Sequence, residues 1–321
     1  MRLITRLLLL AVLSGVFFSQ AQAAKKQMKP DFSWAEGQMK KKGLPPAFVQ
    51  MLKTSYDKKS FERVLTLNLL TFMRPPAHMK LVTDDAVANS TAFIAKNATA
   101  FDAVEERYGV PREVISGLLW IETRHGSLTG SFHVPSVYLH LLQAHRPENR
   151  AELLKIALER NTEKKYTRKE LIAQIKRRSK SRSDWAMEQL QALNHIRTRK
   201  MKDLAELKGS FAGAFGMPQF IPSSYKIWAA TNRAEAAPNL FDVEDAILSV
   251  GNYLHVHGWK TEKEDTHVKA LMRYNQSRDY AESILEIARR VRADSPAAPA
   301  ARGLASEGDI FEPTSPKKPK N

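Results

Sequence analysis

The chain has 321 residues, 43% of them hydrophobic and 26% charged, with no cysteine and a formal net charge of +16. That much Leu, Ile, Val and Phe is incompatible with a wholly disordered chain, and the absent cysteine excludes a disulfide scaffold, a Cys-type zinc site and a thiol nucleophile. The basic excess implies an anionic partner, with nucleic acid, lipid and an anionic polymer all open.

Residues 1–23 start with Arg2 and Arg6, run through an apolar stretch from Leu7 to Phe18 and end on Ala21-Gln22-Ala23. A basic start, an apolar centre and a small-residue cleavage site predict a secretory signal peptide, shorter than the ~20 apolar residues a membrane span needs. No cysteine follows it, so a lipid-anchored N-terminus is not expected, and export disfavours nucleic acid as the partner.

Downstream, strand signals are scarce and helical spacing recurs. Phe61 to Phe72 suits a buried helix or a strand. From Thr91 to Tyr108 the residues Ile94, Phe101, Val104 and Tyr108 recur at helical spacing, and Gly109 ends the run. The segment 110–126, VPREVISGLLWIETRHG, predicts a helix started by Pro111 and stopped at Gly126. Within it Ile115, Leu118, Leu119 and Glu122 stand at i, i+3, i+4 and i+7, so Glu122 continues the apolar stripe. A carboxyl placed there loses hydration, which raises its pKa and suits it to general-acid work. The competing expectation is a Glu122 turned aside to pair with Arg124.

Arg150 to Lys202 contains 16 Lys and Arg against 6 Asp and Glu, most of the chain's excess. Its runs predict helices with a solvated basic face. In the segment 209–225, GSFAGAFGMPQFIPSSY, glycines and prolines break regular structure. Gln219 and Phe220 there set an amide beside an aromatic ring, which suits a sugar; a tight turn packed on the core is the alternative. Asp242 to Asp245 predicts a capped helix carrying Ile247, Val250 and Leu254 and stopping at Gly258. Residues 272–280, MRYNQSRDY, read as a cleft loop or an ordinary connection, with Ser277 capping a last helix that bears Tyr280, Ile284, Ile287 and Val291. Residues 294–321 hold five prolines and read as a disordered tail. The fold class is mainly α.

In this order, YGVPREVISGLLWIETRHG, GSFAGAFGMPQFIPSSY, NLFDVEDAILSVGNYLHVHGW and RYNQSRDYA resemble the lytic murein transglycosylase B family, with its lysozyme-like helical catalytic domain. The resemblance runs from about Phe32 to Val291. It implies a lyase that cuts the MurNAc–GlcNAc β-1,4 bond of peptidoglycan without water, in the periplasm, with Glu122 as sole acid/base. It also implies that Ser210 orients Glu122 and belongs with Gln219, Phe220, Tyr253, Tyr274, Asn275 and Tyr280 to the substrate-binding set; for Tyr253 a scaffold position is the alternative. Domains follow as 24–100 for N-terminal helices, 101–293 for the catalytic core and 143–183 for a basic helical insert with no family role. That insert is expected to hold the enzyme on peptidoglycan carboxylates. Two departures stand out: no EF-hand-like calcium run is present, and Met217-Pro218 replaces the usual residues before Gln219. No cofactor or metal is expected, since His255 and His257 sit on opposite sides of a helix. A lysozyme-type hydrolase and a non-catalytic wall-binding protein are the alternatives.

Overall fold

The computed structural model describes residues 28–73, 77–198, 204–234 and 236–294. The segment expected to be a signal peptide and the proline-rich tail beyond Asp294 lie outside the described residues. The expected mainly α class is what the structure shows.

Helix α1 (Phe32–Lys41) begins at Asp31, whose carboxylate accepts from Trp34 N at 3.0 Å. Helix α2 (Pro46–Thr54) has proline in its first turn, where the missing N–H is no loss. The ambiguous apolar run is helical: α3 (Phe61–Leu69) buries Phe61, Val64, Leu65 and Leu69. The run expected from Thr91 to Tyr108 is two helices, α4 (Asp84–Lys96) and α5 (Ala98–Tyr108). They divide at Asn97, whose side-chain amide folds back onto Phe93 O at 2.8 Å, a local competitor of the helix backbone. Gly109, at φ 63°, ends α5 as expected.

Helix α6 (Arg112–Thr123) starts one residue after Pro111. It lies against α4 on one side and the last helix, α13 (Arg278–Asp294), on the other. Gly117 permits that approach, since a Cβ there would stand 3.3 Å from Ile284 O. A two-residue strand, β1 (Phe132–His133), pairs antiparallel with β2 (Lys208–Gly209), placing Phe132 opposite Gly209. Helix α7 (Val134–Leu142) is buried along its whole length, as a helix apolar on every side must be.

The basic segment is helical, as expected, in α8 (Pro147–Arg160) and the 31-residue α9 (Arg168–Thr198). Leu153, Ala157, Leu171 and Ile175 join the main core while Lys176, Arg177 and Lys180 face solvent. Because α9 continues past Ser183 to Thr198, the segment is part of the body and its edge falls within a helix. Three further helices, α10 (Pro222–Trp228), α11 (Val243–Val256) and α12 (Glu264–Tyr274), complete the order before α13. The expected caps form: Asp242 accepts from Glu244 N and Asp245 N, and Ser277 Oγ accepts from Tyr280 N at 3.3 Å.

Candidate active site

Ile115, Leu118 and Leu119 are wholly buried, and the stripe they begin carries Glu122 to the last turn of α6. Glu122 is half-buried. The Tyr280 hydroxyl, from the first turn of α13, donates to Glu122 Oε1 at 2.6 Å. Burial pushes the Glu122 pKa up to about 7, and the tyrosine hydrogen bond acts against that rise; no neighbouring carboxylate contributes. The carboxyl therefore exchanges its proton near neutrality.

The competing pairing with Arg124 does not form. That guanidinium lies 4.3 Å above the Trp120 ring. The helix stop also differs from the expected glycine: Arg124 (φ 53°) and His125 (φ 52°) turn left-handed before Gly126 (φ 91°) does. Each non-glycine residue held there costs roughly 1–2 kcal/mol. Contacts offset the cost, since His125 stacks flat on Phe93 at 4.1 Å and its Nε2 lies 3.0 Å from Ser116 O. Burial pulls the His125 pKa down to about 4, so this ring is neutral in the working range.

The glycine-rich segment after β2 is a folded turn. Gly213 N donates to Ser210 O at 2.9 Å, and Ser210 Oγ accepts from Ala214 N at 3.2 Å. The Tyr138 hydroxyl donates to Gly213 O at 2.9 Å. Gly213 has φ +83°, and a Cβ on it would lie 2.4 Å from Tyr138 Cζ, so only glycine fits this approach. Further on, Thr123 Oγ1 donates to Met217 O at 2.8 Å and accepts from Gly126 N at 3.0 Å. The residue after Glu122 thus locks the end of α6 to the loop. Gln219 (φ 51°) spends its amide N–H groups on Gly216 O and Thr129 O.

Beyond Gln219 opens a cavity of about 290 Å3, lined by Gln219, Phe220, Ser223, Trp228, Tyr253 and Tyr274 among others. Tyr253 stacks on His257 at 4.0 Å and its hydroxyl donates to Arg273 O at 2.7 Å. The Tyr274 hydroxyl donates to Pro218 O. Tyr274 and Tyr280 lie near-parallel with centroids 6.3 Å apart, which joins this aromatic wall to the acid. Asn275 follows α12, with its N–H on Leu271 O at 3.1 Å.

The structure thus brings Glu122, Tyr280 and Tyr274 together and places Gln219, Phe220 and Tyr253 around one cavity. Ser210 bonds within its own turn. Phe220 and Tyr280 are 2% and 1% exposed, so neither offers an open ring face; Phe220 underlies Tyr253 and Tyr274 at 5.7 and 5.8 Å. Sequence reasoning missed Thr123, Tyr138, Trp228 and His78. The His78 ring stands edge-on to Tyr280, and its backbone N–H meets Asp279 Oδ2 at 2.5 Å. Thr123 sits in the Glu122 segment but nothing in its spacing marks a bond to residue 217, and Tyr138, Trp228 and His78 lie outside the quoted motifs.

A helical body with one proton-exchanging glutamate at the end of a buried helix has a lysozyme-like plan. The chain belongs to the Transglycosylase SLT domain family, whose model matches residues 38–268. It is 31% identical over 180 residues to the membrane-bound lytic murein transglycosylase B of Escherichia coli, which covers 56% of this chain and 40% of that protein. The chain thus matches less than half the length of that relative. Among solved structures it is similar to the Escherichia coli lytic transglycosylase Slt35 in complex with bulgecin A, with TM-score 0.60, 21% identity and coverage of 85% and 98% of the two chains. It is also similar to the soluble lytic transglycosylase SltB1 from Pseudomonas aeruginosa, with TM-score 0.62, 20% identity and coverage of 82% and 99%. Among the described residues no helix is long and apolar enough to cross a membrane.

Proposed function

We propose that this protein is a peptidoglycan lytic transglycosylase that cleaves the MurNAc–GlcNAc β-1,4 bond without water and leaves 1,6-anhydro-MurNAc ends. The observation that carries this is Glu122: a carboxyl with its pKa raised by burial to about 7, tuned by one tyrosine hydroxyl and by no second carboxylate. Glycosidases that add water ordinarily need two carboxylates, one as acid and one as base or nucleophile. A single group suffices when the proton it gives is returned by the substrate.

In the proposed cycle the protonated Glu122 passes its proton to the glycosidic oxygen as the C1–O bond breaks. The substrate's N-acetyl oxygen stabilises the charge at C1. The Glu122 carboxylate, held by the Tyr280 hydroxyl, then removes the proton of the C6 hydroxyl as that oxygen attacks C1. The acid is restored and no water enters the balance. Ser210 and Asn275 are assigned polar contacts to the sugar, alongside the Gln219 carbonyl. Tyr274 is assigned its stacking surface, with Tyr253 and Phe220 packed behind it. Export by residues 1–23 to the periplasm, without a lipid anchor, is the matching location.

Mass spectrometry of the soluble products from purified sacculi tests this. Anhydro-muropeptides, one water lighter than hydrolysis products, are expected. Reducing MurNAc ends would make the protein a hydrolase of lysozyme type instead, and sacculus binding without any release would make it a wall-binding protein.

A further inference from the structure

Near the Phe211–Gly213 portion of the glycine-rich loop stand three arginines with no role in the chemistry above. The Arg63 guanidinium lies 5.0 Å over the Phe132 ring, Arg178 lies 5.4 Å over Phe72, and Arg182 lies 4.9 Å over Trp185. Among the described residues none of the three pairs with a carboxylate. By contrast Arg112, Arg146, Arg233, Arg289, Arg290 and Arg292 all do. Arg178 is spent on structure: it donates to Leu69 O at 2.9 Å and Asn68 O at 3.1 Å, fixing the end of α3 to α9. Arg63 is exposed and Arg182 half-buried, and ring stacking is the contact the structure gives each of them.

Placing Arg178 beside Arg182 is unfavourable. Burial, together with the charges of Arg182 and Arg177, pulls the Arg178 pKa below its ordinary value, and burial does the same to Arg182; guanidinium groups nonetheless stay charged. Each reaches the loop through one or two intervening residues. Phe132 meets Phe211 at 6.5 Å, and Asn68 Nδ2 donates to Phe211 O at 2.9 Å. Trp185 meets Tyr138 at 5.5 Å, and Tyr138 holds Gly213 O. A guanidinium held over an aromatic ring and unpaired with a carboxylate keeps N–H donors for a ligand, which suits two-point binding of a carboxylate.

We propose that Arg63 and Arg182, braced by Arg178, form a carboxylate-binding wall that takes the peptide stems of the glycan strand as it passes the glycine-rich loop. This rests on the transglycosylase reading for the identity of its ligand, because the short peptides on peptidoglycan carry free carboxylates out beyond the sugar, whereas the stripped glycan keeps only the lactyl carboxylate fixed to each MurNAc ring. The wall selects strands that still bear stems, and it acts on binding and not on the bond-breaking step.

The test compares the wild type with the Arg63→Gln/Arg182→Gln double variant on two substrates: stem-bearing glycan and the same glycan stripped of its peptides. The expected result is a rise in KM on stem-bearing glycan of about 10- to 100-fold, the loss of one or two charge-assisted hydrogen bonds. Its kcat stays close to wild type, and both parameters on stripped glycan are unchanged. An equal rise on both substrates, or no rise on either, overturns the proposal. If the double variant melts early, Arg63→Gln alone carries the test, since its side chain is exposed. If the wild type releases no anhydro products, the transglycosylase reading fails by itself. Binding of a free tetrapeptide stem to wild type and variant then judges the wall: weaker binding by the variant supports it, and equal binding or none to either protein overturns it.

Discussion

Replacing Tyr280 with Phe removes a single oxygen, the one that donates to Glu122 Oε1 at 2.6 Å. The ring remains, with its near-parallel contact to Tyr274 and its edge contact to His78, so the packing of α13 on α6 is kept. A hydrogen bond to a charged group contributes about 1.5–3 kcal/mol, and the neutral acid retains part of it. The difference between the two protonation states is then about 1.4 kcal/mol, or one pH unit. The sign follows from which state the hydroxyl favours. It favours the carboxylate and lowers a pKa that burial has raised to about 7, so its loss lets that pKa climb higher. The pH profile of kcat/KM, read as release of soluble muropeptides from sacculi between about pH 5 and 9, needs protonated Glu122 for the first step. Its alkaline limb should move up by about one pH unit in Tyr280→Phe. At the same time kcat should fall roughly tenfold, because the carboxylate that must accept the C6 proton has lost its stabilising partner. An alkaline limb that stays in place, or moves to lower pH, would refute the assignment of Tyr280 as the group that tunes the acid.

Glu122→Gln should abolish product release while the protein stays folded. Because the native pKa of about 7 lies above the ordinary 4.5, the native state holds this proton more tightly than the unfolded chain does. The stability it confers is full below pH 4.5 and is lost as pH rises to about 7, at most about 3 kcal/mol. The Gln variant should accordingly melt higher than wild type at pH 8 and lose that advantage at pH 4; a lower melting temperature at pH 8 would contradict the burial of the acid. Thr123→Val removes the bond to Met217 O and leaves that buried carbonyl unpaired, at a cost of about 1–3 kcal/mol. Urea unfolding should show the loss, and activity should fall further than stability explains, because the lock between α6 and the loop sits one residue from Glu122. Unchanged activity would mean that the loop keeps its place by other contacts.

Local rules carried much of the fold. Asp242 and Ser277 are capping residues that act within three positions, and Gly109 is a left-handed stop, so all three were legible from spacing alone. The burial of Glu122 was equally legible, because helical periodicity places it on the stripe of Ile115, Leu118 and Leu119. What failed to show was decided by distant partners. Arg124 and His125 take the left-handed turn that the chain seemed to reserve for Gly126, and they do so because Trp120 and Phe93 receive their side chains. Phe220 looked like an open stacking face beside Gln219, but Tyr253 and Tyr274 cover it. The tuning of Glu122 by Tyr280 joins residues 158 positions apart, and no periodicity reports a contact of that kind. The basic charge of the segment is visible in the chain, whereas its core contribution through Leu153, Ala157, Leu171 and Ile175 depends on what packs against it.

The long reach from Glu122 to Tyr280 also has a consequence in time. The chain is made from its N-terminus, so the acid is in place long before the residue that tunes it, and α13 is the last described helix to arrive. Until that helix docks, Glu122 lacks the Tyr280 hydroxyl that lowers its pKa, and a chain ending before residue 278 would lack that partner altogether.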